Sequence, residues 1–339
     1  MQTTLWLSQD DLIEAGLTDY DLVGEQLEAM FRLHADGAYT APPSSFLKRP
    51  DCPHVADRII GMSAYLGGKF DIEGMKWIAS AHKNPARGIP RANAIVVLND
   101  PETRVPVCMM EGTLISAMRT AVVQGLACRY LASSAPKTVG LVGTGRIGGL
   151  TLLVLQAWFP TLERWVAFDT DSARLDAFSS HMARHDVPVK QAARFEDALA
   201  DADIGIVATT ADEAYVPASC FKPGSLFVNV SLMDPTYELV LAADKIVADD
   251  WLQSIHSNRV LGRMVRENLL SKDGLHAELG EIVAGRKPGR ESEDERIFWN
   301  PFGLAIEDLA VATVLYQRAK ERGLGTPLTL RTQDPSILF

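Results

Sequence analysis

Cysteine is scarce in this 339-residue sequence, and its four copies lie far apart, at Cys52, Cys108, Cys128 and Cys220. None of them has the C-x-x-C spacing that is typical of zinc sites and redox-active pairs, so reduced thiols are expected. The seven histidines form no H-E-x-x-H or H-x-H pattern. The sequence therefore predicts no metal site.

Long hydrophobic runs are also missing, because no apolar stretch reaches the roughly 18 residues that cross a bilayer. The first residues lack the basic and apolar segments of a secretory signal peptide. These absences argue against a membrane partner and favour a cytoplasmic protein. Positive charge is in deficit as well, since 33 lysines and arginines face 43 aspartates and glutamates. Such a chain repels the phosphates of nucleic acid, so a nucleic-acid partner is not expected.

The composition is that of a globular protein, with 47% hydrophobic and 22% charged residues, and the length suits two domains. Apolar periodicity and turn residues predict the elements of the N-terminal part. They are a helix over 8–36, a loop over 41–56, strands over 57–80, a hairpin of 92–98 with 104–109, and a helix over 113–132.

The pattern changes after a polar tract at 133–137, where short β-rich runs begin to alternate with helical stretches. This alternation predicts βαβ units and a parallel sheet, hence an α/β fold. The predicted strands are 138–142, 164–168, 203–208, 225–230 and 244–248. A helix predicted over 303–322 carries enough apolar residues to pack on a large surface, and we expect it to rejoin the N-terminal domain.

The first of these strands runs directly into a glycine-rich turn, Gly143-Thr144-Gly145-Arg146-Ile147-Gly148, and an apolar helix follows. In the dinucleotide-binding fingerprint the first glycine permits a tight turn, the second admits a pyrophosphate, and the third lets helix and strand pack closely. The next strand ends at Asp169, about 20 residues on, where an acid binds the ribose 2′-hydroxyl and favours NAD over NADP. A chance glycine loop is the alternative, which the flanking strand, helix and acid argue against.

Three further polar residues follow later strands of the same region: Thr209 and Thr210 after one, and Ser231 after another. Ligands of doubly wound sheets bind outside the carboxyl ends of the strands. These residues could therefore contact the nicotinamide half of a dinucleotide. Ordinary turn residues have the same composition, and the sequence does not separate the two interpretations.

Arg119 is the only charged residue between Glu111 and Arg129, in a helix that is otherwise apolar or small. A buried guanidinium needs a partner, because an unpaired charge in an apolar environment is costly. The partner is either an acidic side chain of the protein or a carboxylate of a bound ligand. We favour the ligand, since arginine binds carboxylates with two parallel hydrogen bonds and the chain also offers a cofactor site.

Four other cations are candidates for the same task. Strand alternation places Lys76 on the face opposite Met75 and Trp77, where a solvated edge lysine is an equally good interpretation. Arg91, Lys48 and Arg49 lie in predicted loops, and for them a solvated surface is the simpler interpretation.

The sequence around these residues resembles that of the ornithine cyclodeaminase/mu-crystallin family. The matching stretches are Gly74–Trp77, Asn99–Thr103, Ser116–Ala121, Gly143–Gly148, Ala277–Glu281, Gly285–Arg290 and Gly303–Asp308. The resemblance implies that a Rossmann domain, residues 133–302, is inserted into an α+β substrate-binding and dimerisation domain made of residues 1–132 and 303–339. It further implies NAD as cofactor, a homodimer, and Lys76 and Arg119 as ligands of a substrate carboxylate, with a cation at Lys48 or Arg49 beside them.

Within the family the resemblance is strongest to siderophore-pathway dehydrogenases that oxidise N-(2-amino-2-carboxyethyl)-L-glutamate with NAD, giving 2,3-diaminopropionate and 2-oxoglutarate. The stretches that carry it are His54–Ile60, Lys76–Ile78, Arg91–Ala92, Ser231–Asp234, His276–Gly280 and Asn300–Gly303. Such a substrate carries three carboxylates and ornithine only one. The cations match the three better, and they are Lys76, Arg119, Arg91 and either Lys48 or Arg49. His276 is a weaker candidate, for which a structural role is the simpler interpretation.

Two departures from the cyclodeaminases bear on the reaction. Cyclodeaminases carry a glutamate in the segment that here reads Arg58-Ile59-Ile60-Gly61-Met62. This sequence has no acidic residue in that segment, which argues against ornithine cyclisation. Their catalytic aspartate follows the fifth Rossmann strand, and here the nearest acid, Asp234, lies about two positions later. Asp234 is nevertheless the expected general base. The alternatives are a cyclodeaminase, a ketimine reductase or amino-acid dehydrogenase of the family, and a nucleotide-binding, crystallin-like protein without catalysis.

Overall fold

A computed structural model describes residues 2–52, 54 and 57–331. Within the predicted ranges, Met1, Pro53, Val55, Ala56 and residues 332–339 lie outside the described residues. The chain divides into two compact units, the first made of residues up to Arg119 and from Ala305 onward, and the second of Thr120–Leu304. The first boundary falls inside a helix rather than after it, at a position earlier than the predicted 132.

The first unit contains a mixed sheet and three main helices. Its strands are β1 Gln2–Leu7, β2 Tyr39–Thr40, β3 Ser45–Leu47, β4 Arg58–Leu66, β5 Ile72–Ser80, β6 Ala92–Asn99, β7 Pro106–Glu111 and β16 Thr326–Arg331. Its helices are α1 Gln9–Ala15, α2 Tyr20–Ala35 and α11 Ala305–Arg322, and α3 Thr113–Leu131 begins in it. The strand order is β16-β1-β7-β6-β5-β4-β2, with β3 also paired to β4.

The single helix predicted over 8–36 is wrong, because Gly16 ends α1 with a left-handed φ of 109°. A capping box between Ser8 and Asp11 starts α1, and Asp19 starts α2 by accepting a hydrogen bond from the backbone of Leu22. Helical periodicity therefore indicated the apolar face correctly and missed the glycine that interrupts it. The predicted strands over 57–80, the hairpin and the helix over 303–322 are confirmed.

Helix α11 packs on β4, β5 and β6 and also contacts α1 and α2. The three strands pair antiparallel, so that Met62, Lys76 and Val96 lie side by side on one face. These positions are buried, whereas Met75 and Trp77 on the opposite face are partly exposed. Alternation puts Lys76 on the face opposite Met75 and Trp77, as predicted. That face is covered by helix α11, and Lys76 is buried, so the interpretation as a solvated edge lysine is wrong.

The second unit contains an eight-stranded sheet in which every pair of neighbouring strands is parallel, in the order β10-β9-β8-β11-β12-β15-β13-β14. The strands are β8 Thr138–Val142, β9 Arg164–Phe168, β10 Val189–Gln191, β11 Ile204–Val207, β12 Leu226–Asn229, β13 Lys245–Ala248, β14 Ala277–Glu278 and β15 Ile297–Asn300. The helices are α4 Arg146–Trp158, α5 Ser172–Ala183, α6 Phe195–Leu199, α7 Tyr237–Leu241, α8 Trp251–Ile255, α9 Val260–Arg266 and α10 Leu279–Val283.

The five strands predicted after residue 137 are confirmed. The strand order reverses between β8 and β11, and doubly wound sheets bind their ligand in the crevice at such a reversal. None of the described helices is both long and apolar enough to cross a membrane.

Candidate active site

The glycine-rich turn leaves the carboxyl end of β8, the strand at which the sheet order reverses. Gly143 has a left-handed φ of 94°, and a Cβ there would lie 2.7 Å from the carbonyl oxygen of Ala208. A Cβ on Gly148 would lie 2.8 Å from the carbonyl oxygen of Gly143, so this glycine keeps α4 close to its strand. Gly145 faces open space within 4 Å. Gly143 and Gly148 therefore have the tight-turn and close-packing roles predicted for them, and the contact of Gly145 with a pyrophosphate stays a prediction.

Helix α4 begins without a side-chain cap in the described part of the chain, since its capping residue is Gly145. Uncapped N–H groups and the helix dipole favour an anion at this end. Arg146, the first residue of the helix, is exposed beside them. The backbone of this turn thus fits a diphosphate.

Asp169 lies just past the end of β9, next to the glycine turn. One of its carboxylate oxygens accepts hydrogen bonds from the backbone N–H and the hydroxyl of Thr144, at 2.8 and 2.7 Å. The other accepts one from the backbone of Asp171 at 3.0 Å, which leaves it room for a further donor such as a ribose hydroxyl. Burial raises the pKa of Asp169, but the Thr144 hydrogen bonds outweigh it and leave the pKa below its ordinary value. The carboxylate is therefore charged at neutral pH, and its binding of a ribose hydroxyl and repulsion of a 2′-phosphate stay predictions.

Polar residues at the ends of β11 and β12 form one hydrogen-bond network. The backbone of Thr209 donates to the hydroxyl of Ser231 at 2.7 Å, and the Thr209 hydroxyl donates to Oδ1 of Asp234 at 2.5 Å. The Tyr215 hydroxyl donates to the same oxygen at 2.9 Å. Thr210 is exposed beside this network.

Asp234 has no exposed surface in this network. Burial raises the pKa of its carboxyl, and the hydroxyls of Thr209 and Tyr215 oppose that rise. A carboxylate that is enclosed and bonded in this way holds Thr209 and the strand ends in place. Its second oxygen, Oδ2, is buried without a hydrogen-bond partner among the described residues, and the role of Asp234 as general base stays a prediction.

Two cations and two acids of the first unit form a buried ion cluster, defined here as Lys76, Arg119, Glu307 and Asp308. Nζ of Lys76 donates to Oδ2 of Asp308 at 2.5 Å, and Nε of Arg119 donates to Oδ1 of the same carboxylate at 3.1 Å. A second guanidinium nitrogen of Arg119 donates to Glu307. Lys76 is 2% exposed and Arg119 6%, while both acids are fully buried.

Of the two partners proposed for Arg119, the structure shows the acidic side chains of the protein. The cluster holds two cations and two carboxylates, so its formal charges cancel. Binding of a ligand carboxylate by Arg119 stays a prediction, and it would require the guanidinium to serve an additional acceptor. The N–H groups of arginine make such sharing feasible, since a guanidinium has five donors.

Lys76 is the member of the ion cluster whose pKa is shifted toward neutral pH. Burial and the charge of Arg119 lower its pKa, Asp308 and Glu307 oppose the shift, and together they leave the pKa at about 8. Its Nζ also lies 3.3 Å from the hydroxyl of Ser116, on helix α3. A lysine that titrates near neutral pH can hold or release a proton, so this side chain suits proton transfer.

The predicted loop cations are less closely held. Arg49 forms an ion pair with Asp51, and both side chains are largely exposed. Lys48 and Arg91 are also exposed. His276 contacts the carbonyl oxygen of Pro288 at 2.9 Å through Nε2, in keeping with a structural role.

Sequence reasoning missed Glu307, Asp308, Tyr215 and Arg58 as site residues. The two acids lie in the stretch Gly303–Asp308, and their signal was two adjacent carboxylates in an apolar helix. Arg58 begins β4 and lies opposite Ser80, on the same face as Lys76. Burial lowers the pKa of the Arg58 guanidinium, and the nearby charge of Arg91 lowers it further.

A parallel, doubly wound sheet with a glycine turn at the strand reversal and an acid after the second strand defines a dinucleotide-binding protein of the Rossmann class. The model of the ornithine cyclodeaminase/mu-crystallin family matches residues 6–323. The chain belongs to this family.

Two of the relatives indicate the range of activities in the family. The N-((2S)-2-amino-2-carboxyethyl)-L-glutamate dehydrogenase of Staphylococcus aureus is 36% identical over 330 residues, covering 96% of this chain and 98% of the relative. The alanine dehydrogenase of Archaeoglobus fulgidus is 29% identical over 334 residues, covering 96% of this chain and 98% of the relative.

Solved structures confirm the fold. The Δ1-pyrroline-2-carboxylate reductase of Thermococcus litoralis, in complex with NADH and L-proline, is 30% identical with a TM-score of 0.88, covering 95% of this chain and 99% of that one. An archaeal alanine dehydrogenase dimer with bound NAD is 28% identical with a TM-score of 0.86, covering 97% of this chain and all of the other.

Proposed function

We propose that this protein is an NAD-dependent oxidoreductase that converts N-(2-amino-2-carboxyethyl)-L-glutamate, NAD⁺ and water into L-2,3-diaminopropionate, 2-oxoglutarate, NADH and a proton. The glutamate α-carbon loses a hydride, and hydrolysis of the resulting imine separates the two products. The relative from Staphylococcus aureus, which matches over nearly the whole of both chains, supports this reaction. A siderophore or related natural-product pathway in the cytoplasm is the expected setting.

The observation that carries the proposal is Arg58. In the segment where cyclodeaminases carry a glutamate, this chain has an arginine that lies on the same sheet face as Lys76 and close to Arg91. A glutamate in this segment suits a cationic amine such as the side chain of ornithine. Arg58 and Arg91 instead suit the additional carboxylates of a tricarboxylate substrate.

NAD, when bound, supplies the hydride acceptor, and the residues of the second unit fit it. The backbone N–H groups that open α4 would bind the diphosphate, and Asp169 would bind a ribose hydroxyl. Thr209 and Ser231, which Asp234 holds in place, would line the part of the cofactor site at the ends of β11 and β12. The charge of Asp169 makes NAD the cofactor rather than NADP.

Lys76 is the group that we assign to proton transfer, in preference to Asp234. Its pKa of about 8 leaves part of the population neutral at physiological pH, so that Nζ can accept the proton of the substrate amine. Asp308 would hold Nζ in position through its 2.5 Å contact. Arg119 stays charged and would bind the carboxylate next to the reacting carbon.

A substrate panel tests the reaction. The protein is incubated with NAD⁺ and N-(2-amino-2-carboxyethyl)-L-glutamate, its analogue N-(2-aminoethyl)-L-glutamate, alanine or ornithine, and mass spectrometry measures the products. We expect equimolar 2,3-diaminopropionate and 2-oxoglutarate from the first compound. Proline from ornithine, pyruvate from alanine, or reduction of cyclic imines without turnover of the first compound would assign the protein to another activity of the family.

The analogue N-(2-aminoethyl)-L-glutamate lacks one carboxylate and therefore tests Arg58. Arg58→Gln should reduce kcat/KM for the tricarboxylate by about tenfold or more, as expected for the loss of a charge-assisted contact of roughly 1.5–3 kcal/mol. It should change kcat/KM for the analogue much less. An equal loss on both compounds would mean that Arg58 does not recognise the additional carboxylate.

A homodimer is proposed from the sheet face that carries Met75 and Trp77. Trp77 is 40% exposed there, and an archaeal alanine dehydrogenase with the same fold is described as a dimer. An apolar sheet face suits association with a second copy. Light scattering should give twice the chain mass, and Trp77→Glu should shift it toward the monomer; a monomer of the unmutated protein at micromolar concentration would refute the proposal.

A further inference from the structure

We propose that His54, Asp57 and His82 form a binding site for a divalent transition-metal ion, and that Zn²⁺ is the ion that suits them. One nitrogen or oxygen of each side chain can be chosen so that all three atoms lie within 4.8 Å of one another. All three residues are partly exposed, so an ion can reach them from solvent. The sequence patterns did not predict this site because the two histidines lie 28 positions apart, far outside local zinc-binding spacings.

The strand pairing brings the three residues together. Asp57 immediately precedes β4 and His82 follows β5, whose ends are held side by side by the pairing of Arg58 with Ser80. Nδ1 of His82 lies 2.8 and 2.9 Å from the two carboxylate oxygens of Asp57. The backbone N–H of His82 donates to the same carboxylate at 2.7 Å, which fixes the side chains relative to each other.

The ring of His54 completes the set. It stacks on the ring of His82 with the centroids 4.0 Å apart and the planes 15° apart. Zn–N and Zn–O bonds of about 2.0–2.1 Å place two ligands of a tetrahedral ion roughly 3.3 Å apart. The distance between Asp57 and His82 would therefore lengthen by about half an ångström, and the His54 ring would tilt out of its stack.

The donor chemistry favours a borderline metal over Mg²⁺ or Ca²⁺. Two imidazoles and one carboxylate suit Zn²⁺, Ni²⁺ and Cu²⁺, whereas Mg²⁺ and Ca²⁺ prefer oxygen ligands. Three protein ligands leave the fourth position of the ion to water.

A bound ion would tie two segments of the first unit together. The segment before β4 carries Lys48 and Arg49, and β5 carries Lys76. Cross-linking His54 and Asp57 to His82 would restrict the position of the loop cations relative to Lys76. A bound ion would therefore restrict the position of Lys48 and Arg49 and would take no part in the reaction itself.

Metal binding is measured on the full chain after treatment with a chelator and its removal, by titration of Zn²⁺ in competition with a chromophoric indicator. We expect the protein to bind one equivalent of Zn²⁺ saturably at these residues, and its melting temperature to rise when Zn²⁺ is added. His54→Ala and His82→Ala should each weaken the affinity by about tenfold or more. His54→Ala is the cleaner variant, because it leaves the hydrogen bonds between Asp57 and His82 in place.

The chain offers a matched control in a second pair of histidines. His181 and His185 lie with their rings 4.9 Å apart at the end of α5, in the other unit. The double variant His181→Ala/His185→Ala should leave the affinity and the melting shift unchanged. The proposal is overturned if His54→Ala and His82→Ala bind Zn²⁺ as tightly as the unmutated protein, or if the binding is lost only in the control.

Discussion

The glycine turn of the second unit and the buried ion cluster of the first unit bind charge in different ways. The turn presents backbone N–H groups within one short segment, Gly143–Gly148, and its steric requirements are visible in the sequence. The ion cluster uses side chains from three separate segments, at Lys76, Arg119 and Glu307–Asp308. A site made of backbone groups can therefore be predicted from a local sequence motif, whereas a site made of side chains forms only when the fold brings distant segments together.

The same difference predicts how each site fails on mutation. Removing one member of the ion cluster leaves a buried charge without its compensation, which costs stability. Adding a side chain to the most open part of the turn leaves the fold intact and blocks the ligand. Five variants test this contrast, beginning with the one that should lose the most stability.

Arg119→Ala should have the largest effect, because it leaves Glu307 and Asp308 with only Lys76 as their counter-charge. Breaking a buried ion pair from one side costs about 3–5 kcal/mol of unfolding free energy. Chemical denaturation measures it, with Lys137→Ala as control: the Lys137–Glu163 pair is also close, at 2.6 Å, but both side chains are exposed. The control should lose at most about 1 kcal/mol. Similar small losses in both variants would show that the cluster does not stabilise the fold.

Gly145→Ala and Gly148→Ala should separate ligand binding from folding within the turn. A Cβ at position 145 meets no atom within 4 Å, so Gly145→Ala should keep its stability and lose NAD affinity by roughly tenfold or more. A Cβ at position 148 meets a carbonyl oxygen at 2.8 Å, so Gly148→Ala should lose about 1–3 kcal/mol of stability as well. Calorimetric NAD titration and thermal melting distinguish them. Equal melting temperatures for the two variants would contradict the assigned roles.

Asp169→Ala should reduce the preference for NAD over NADP. The variant removes a hydrogen-bond acceptor for ribose, at a cost of roughly 1.5–3 kcal/mol, and also removes the repulsion of a 2′-phosphate. The ratio of kcat/KM for the two cofactors measures the change, and Asp171→Ala serves as the control because its side chain caps α5. A protein that uses both cofactors equally before mutation would refute the role of Asp169.

Lys76→Arg should remove a rising limb from the pH profile. The pKa of Lys76 lies near 8, below the ordinary value of 10.5, so its positive charge is lost as the pH rises through about 8. Because Nζ accepts the proton of the substrate amine only when it is neutral, kcat/KM for the amino-acid substrate should rise through that pH. An arginine keeps its charge, so kcat/KM should be lower in the variant and should lose this rise. Coincident profiles for the two proteins would exclude Lys76 as the titrating group.

Much of the fold could be predicted from the sequence, because strands and amphipathic helices carry local patterns. The strands of the second unit and the roles of its glycines followed from such patterns. Gly16 was missed, since one glycine in a helical pattern does not by itself show a left-handed cap. The residue at which the units divide lies inside α3, where the apolar pattern is continuous.

The candidate site was predicted unevenly for the same reason. Asp169 follows its strand by a fixed spacing, whereas the partners of Arg119 come from a helix almost 190 positions away. No local pattern joins Arg119 to Asp308, and a resemblance to the family indicated the cations without their acids. The enclosure of Asp234 by Thr209 and Tyr215 likewise appears only when the strand ends are brought together.

The proposed function depends on the transfer of a hydride from the glutamate α-carbon of N-(2-amino-2-carboxyethyl)-L-glutamate to NAD⁺. Deuterium placed at that carbon traces the transfer, with mass spectrometry of the nucleotide and of both products. We expect NADH that carries one deuterium, together with 2-oxoglutarate and unlabelled 2,3-diaminopropionate in equal amounts. NADH without deuterium, or products that form while the label stays on the glutamate carbon, would contradict it.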